Sequence, residues 1–143
     1  MSVIQPVTVA VTVQASPEQA WNAFTSPASI TAWNFASPDW HCPRAQNELR
    51  EGGAFSYRME ARDGSFGFDL EGTFLDLSPH TQLRYSLGEN REVVVTFRQD
   101  GEQTRVTQSF TPEATHSLEQ QREGWQSILD NYRAHVDGVA SKA

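Results

Sequence analysis

The last quarter of the sequence sets the strongest constraint on the fold. From about Ser117 toward Val139, the residues Leu118, Trp125, Ile128, Leu129, Tyr132, Val136 and Val139 recur at helical spacing and form one apolar stripe. Ser117 is the expected N-cap, and Gln120 three residues on completes a capping box. A helix of about 22 residues spans ~33 Å, enough to lie across a whole antiparallel sheet. A strongly curved sheet gripping one such helix does not close along its full length, and the gap is a natural pocket.

The rest of the chain carries the pattern of that sheet. Val7, Val9, Val11 and Val13 alternate with Thr8, Ala10 and Thr12, which predicts a first strand. From Asn47 to Pro112 the period is again two, broken by turn residues at Gly52-Gly53, Asp63-Gly64, Ser78-Pro79, Gly88 and Asp100-Gly101. This predicts about six strands after the first. With Asp63-Gly64 as a two-residue turn, Arg62 faces Ser65, Met59 pairs with Phe68 and Tyr57 with Leu70 on one face, and Arg58 meets Asp69 on the other. The same parity places Leu83, Tyr85, Leu87, Val93, Val95, Phe97, Val106, Gln108 and Phe110 on the covered face, and Arg84, Thr96, Arg98, Thr107 and Ser109 toward water. Two short helices interrupt the sheet. Ser16, Pro17 and Gln19 start the first, which carries Ala20, Trp21 and Phe24 on one face; Ser26 and Pro27 start the second, with Ile30 and Trp33 three apart.

Composition narrows the partners. A chain of 143 residues reads as one ordinary domain spanning 1–143. No apolar run approaches the ~20 residues needed to cross a bilayer, and the apolar N-terminus lacks a basic region, so a cytoplasmic protein without membrane insertion is expected. A net charge of −7 argues against nucleic acid and anionic lipid. The single cysteine cannot form an internal disulfide or a thiolate-rich zinc site.

The densest group of reactive side chains is "SPDWHCP", residues 37 to 43. Read as an extended loop, it points His41 and Cys42 to opposite sides, and His80, His116 and His135 carry no ligand spacing, so no metal is expected. A nucleophilic Cys42 would need a base and an electropositive setting, whereas the nearby Asp39 is expected to raise its pKa; a small packed residue is the favoured reading. Trp40 and His41 then form the wall or lid of a pocket. Asp69 and Glu71 fall on the polar face opposite Arg58 and Ser56, as cross-strand ion-pair partners. Gly124 before Trp125 either lets the long helix approach the sheet or leaves room for a ligand beside the indole, against the more common reading of Trp125 as core. There is no glycine-rich phosphate loop and no nucleophile elbow.

The order of strand, two short helices, six strands and long helix resembles the START-like (SRPBCC) helix-grip fold. Within it, "WNFASPDWHCP", "LREGGAFSYRMEARDGSFGFDLEGTF" and "GWQSILDNYRAHV" are similar to the bacterial branch of the activator of Hsp-90 ATPase homologue family. The resemblance implies an α+β fold: a curved antiparallel sheet of about seven strands around a long C-terminal helix. START-like proteins mostly bind apolar ligands, and some are cyclases or hydrolases. The eukaryotic activators carry a further N-terminal chaperone-binding domain for which these residues leave no room, so chaperone activation is expected to rank second.

The expected function is therefore non-enzymatic binding of a small apolar or aromatic ligand between sheet and long helix. The expected lining is Trp40, His41, Tyr57, Met59, Phe68, Phe97, Gln108, Trp125 and Leu129, without a cofactor, a metal or a catalytic residue. The alternative is a chaperone or other protein partner held on the outer surface. A cyclase or hydrolase using His41 ranks third, because only one acid-base candidate is visible. The sequence leaves the oligomeric state open.

Overall fold

The alternating valines at the start and the alternating apolar positions of the later strands meet in one sheet. The computed structural model describes residues 5–88 and 90–141, the last three by their place in a helix alone. In chain order the elements are β1 (Val7–Val13), α1 (Pro17–Thr25), α2 (Pro27–Trp33), β2 (Trp40–Asn47), β3 (Ala54–Ala61), β4 (Gly67–Ser78), β5 (Gln82–Gly88), β6 (Arg91–Asp100), β7 (Gln103–Phe110) and α3 (Leu118–Ser141). The seven strands run in the order β1-β7-β6-β5-β4-β3-β2, and every neighbouring pair is antiparallel. The sheet curls into a half-barrel, and three register shifts, at His41/Arg44, Phe74/Asp76 and Ser86/Gly88, add the local twist that bends it.

The caps form as the sequence requires. Ser16 and Gln19 make a reciprocal capping box on α1, and Ser117 and Gln120 make one on α3, with Gln120 N–H donating to Ser117 Oγ at 3.1 Å and Ser117 N–H to Gln120 Oε1 at 3.2 Å. α3 packs on β1, α1 and α2. Its residues Leu129, Tyr132 and Val136 are buried with Val93, Val95 and Val106 of the sheet and Ala20, Trp21 and Phe24 of α1. The buried Tyr132 hydroxyl donates to Ala20 O at 2.7 Å, which satisfies its polar end inside the core. Among the described residues no helix is long and apolar enough to cross a membrane.

Three expectations need correction. The segment Trp40–Pro43 is not a loop: it opens β2, one of the two edge strands, with Trp40 opposite Ala61 and His41 opposite Glu60. Pro43 sits in the register shift of an edge strand, where its missing N–H leaves no ladder bond broken. The Asp63-Gly64 hairpin has the predicted pairing of Tyr57 with Leu70, Arg58 with Asp69 and Met59 with Phe68, but a wider turn. Ala61 N–H donates to Phe66 O at 2.9 Å, Gly64 turns in the left-handed region, and the Arg62 N–H bonds Asp39 O at 2.7 Å instead of facing Ser65. Finally, Leu118 is 58% exposed and leaves the stripe; the buried position of that first stretch is Gln121, whose amide donates to Glu113 O and His116 O. Leu118 precedes the point where α3 meets the sheet, so helical spacing alone includes it wrongly. Val139 lies outside the residues whose side chains are described.

Candidate ligand-binding site

The concave faces of β3, β4 and β5 carry an aromatic floor. Phe55 lies opposite Gly72 in the β3–β4 pair. A Cβ on Gly72 would come within 2.4 Å of the Phe55 ring, so only glycine lets that ring lie across β4. Phe55 thereby stacks on Tyr57 at 4.9 Å and meets Phe74 at 5.3 Å and Tyr85 at 5.2 Å. Phe24 and Thr25 of α1, Trp33 and Asn34 at the end of α2, and Trp125 and Ile128 of α3 face this floor across an apolar cavity of about 230 Å³. Met59, Phe68, Leu70, Leu83, Leu87 and Gln108 complete its wall.

Few polar atoms enter the cavity, and each is tied down. Asn47 Nδ2 donates to the Tyr57 hydroxyl at 3.2 Å and to Thr25 O at 2.8 Å. Gln108 Nε2 donates to the Tyr85 hydroxyl at 3.3 Å, and Asn34 Nδ2 reaches Met59 Sδ at 3.6 Å. Burial pushes Tyr57 up to about 12, against the opposing bond from Asn47, and it raises Tyr85 as well. Both phenols are neutral donors and acceptors at physiological pH. Among the described residues no group of three His, Cys, Asp or Glu side chains converges on a point where a metal ion could sit.

Of the nine residues expected to line a site, Tyr57, Met59, Phe68, Gln108 and Trp125 border the cavity. Trp40 shares their concave face but stands just outside, against Phe66 at 5.9 Å and Phe68 at 6.1 Å. His41 must be removed from the wall: strand alternation turns it to the convex face, with Nε2 3.7 Å from Glu60 Oε1. Phe97 and Leu129 are also displaced, because both are core. Phe97 is covered by Trp21 at 5.4 Å and Phe24 at 5.8 Å, and Leu129 is fully buried. Trp125 serves both readings at once, stacked on Phe110 at 4.1 Å and bordering the cavity. Gly124 does not mediate a close approach to the sheet, since a Cβ there would meet open space.

The residues missed include Phe24, Trp33, Asn34, Phe55 and Ile128. Leu70, Tyr85 and Leu87 already fell on the covered face by parity, but parity does not say which part of that face the helices leave uncovered. Cys42 is buried, with Sγ 3.4 Å from Arg44 O. Desolvation raises its pKa against the hydrogen bond from Asn34, which keeps it a thiol and removes the thiolate a nucleophile needs. On the convex face Arg58 pairs with Glu60 at 2.8 Å and with Asp69 at 3.5 Å, while Glu71 lies opposite Ser56. Arg84 pairs there with Asp76 and Glu92.

Residues 14–137 match the family described as Activator of Hsp90 ATPase homolog 1-like protein. The chain belongs to this family. The AHSA1-like protein from Aeromonas hydrophila is 36% identical over 94% of each chain, with a TM-score of 0.85. A protein from Cytophaga hutchinsonii is 38% identical over 96% of each chain, with a TM-score of 0.80. A protein from Nitrosomonas europaea shares the fold at 18% identity and a TM-score of 0.81 over 99% of each chain. No curated protein matches. The family match accounts for the half-barrel and the long helix of the START-like fold, and the cavity lies where those two elements part.

Proposed function

We propose that this family member binds a small, uncharged, largely apolar ligand in the cavity between the sheet and its three helices, without catalysis. The observation that carries the reading is the cavity itself: about 230 Å³ lined almost wholly by aromatic and aliphatic side chains, with a few polar groups held at fixed positions. Burying ~250 Å² of ligand surface at ~25 cal/mol per Å² gives about 6 kcal/mol before ordering costs. Catalysis finds little support, because the one imidazole near the site faces outward and the one thiol is desolvated.

A partner-protein role, which the family description implies, ranks second. The convex face carries the ion pairs of Arg58 and Arg84, whereas the exposed aromatics Phe66 and Phe68 cluster beside the cavity. Calorimetric titration with acetophenone tests the first reading. Sub-millimolar binding is expected for the wild type, and Leu70→Phe, which fills the cavity, should abolish it with an unchanged or higher melting temperature. Undiminished binding to Leu70→Phe would place the ketone elsewhere and sink the proposal.

A further inference from the structure

Phe66 and Phe68 are 61% and 42% exposed, unusual for large aromatics on a structured hairpin. With Trp40 they form a closed triangle of ring contacts, 5.9 Å and 6.1 Å from the indole and 6.2 Å from each other. Pairing fixes all three on the concave face: Trp40 lies opposite Ala61, Phe68 opposite Met59, and Phe66 accepts the bond from Ala61 N–H. Phe68 also lines the cavity, so the triangle continues the cavity wall outward. Its two halves come from different strands, and Arg62 clasps them together. The Arg62 N–H bonds Asp39 O at 2.7 Å and its Nε bonds Pro38 O at 2.9 Å, tying the β3–β4 hairpin to the residues just before Trp40.

The cavity, at about 230 Å³, falls below the ~300 to 1,000 Å³ of most small-molecule sites, so a typical ligand would protrude from it. Inside, the Tyr57 and Tyr85 hydroxyls each accept one bond, from Asn47 and from Gln108, and keep their own O–H for a guest. No Lys, Arg or His is among the lining residues described, so a buried carboxylate would find no counter-ion. We infer that Trp40, Phe66 and Phe68 form an aromatic shelf holding the outer end of an elongated, uncharged ligand whose inner end carries a carbonyl-type acceptor for Tyr57 and Tyr85. This rests on the cavity being the binding site.

Two ketones separate the shelf from the cavity. Acetophenone fits inside alone, while 4-benzyloxyacetophenone carries a second ring that reaches the shelf. Titrated into the wild type, the longer ketone should bind at least about tenfold more tightly, and Phe66→Ser should weaken it roughly five- to tenfold. The same variant should leave acetophenone affinity and the melting temperature at wild-type values. Equal affinity of the two ketones, or an equal loss for both in Phe66→Ser, would overturn the shelf while leaving the cavity reading intact. Binding of neither ketone to the wild type would remove both. If Phe66→Ser changes only the sedimentation of the protein, from dimer to monomer, the triangle is a contact between copies and the shelf is wrong.

Discussion

The two ends of the concave face are both apolar and end in opposite states. Under α1 and the second half of α3, the sheet presents Val93, Val95 and Val106, and the helices present Leu129, Tyr132 and Phe24; every one is buried. The rings there interlock, with Phe24 5.3 Å from Tyr132 and Trp33 5.2 Å from Tyr132. Toward β3, β4 and β5 the sheet presents Phe55, Tyr57, Phe74 and Tyr85, whose rings pack against one another along their own floor. Trp125 meanwhile lies flat on Phe110 of β7 and leaves the opposite wall uncrossed. Short branched side chains on a sheet leave grooves that helix side chains fill, whereas large rings that pack on one another along the sheet leave no such grooves. Packing in one half and vacancy in the other follow from that difference.

The difference predicts unequal costs. Tyr132→Ala should be the largest, because it removes a fully buried ring and its bond to Ala20 O; a loss of roughly 3 to 5 kcal/mol in a denaturant melt is expected. A cost near zero would mean that the packed half is not packed.

Next in size is the pH dependence of the open half. The Tyr57 pKa is raised from 10.0 to about 12 in the folded protein, so the native state holds its proton in a range where the unfolded chain loses it. The stability tied to this group is complete below about pH 10 and falls by roughly 2 to 3 kcal/mol as the pH climbs to about 12. Tyr85 and Tyr132, also raised by burial, act with the same sign. Tyr57→Phe should therefore flatten part of the alkaline decline in melts run from pH 9 to 12, and an unaltered slope would contradict burial of this hydroxyl.

Trp125→Ala should cost about 2 kcal/mol, clearly less than Tyr132→Ala, since one indole face rests on Phe110 and the other borders space that already lacks contacts. The same variant should weaken acetophenone binding. A cost equal to that of Tyr132→Ala, without an effect on binding, would return Trp125 to the ordinary core.

Much of this architecture is readable in particular residues. The Ser16–Gln19 and Ser117–Gln120 boxes place two helix starts, because a cap is a contact between residues three apart. The turn at Asp63-Gly64 fixes the partners of Tyr57 and Met59, because strand register propagates from a turn without regard to the rest of the fold. Trp40 to Pro43 resisted the same reading. Proline and a register shift hide the alternation of β2, and only the free edge of β3 makes that segment a strand.

The helix starts, the inward sets of β1 and of β3 to β7, and the family are legible in the chain alone, because all of them rest on local spacing or on contiguous motifs. The tertiary structure alone decided where the concave face is filled and where it is left open. That depends on how far Trp125 and Ile128 stand from the rings of Phe55 and Tyr85 across the cavity, a distance between side chains that face each other only when the sheet has curled. It also turned His41 outward, and it set Trp40 beside Phe66 and Phe68, since both outcomes require β2 to pair with β3.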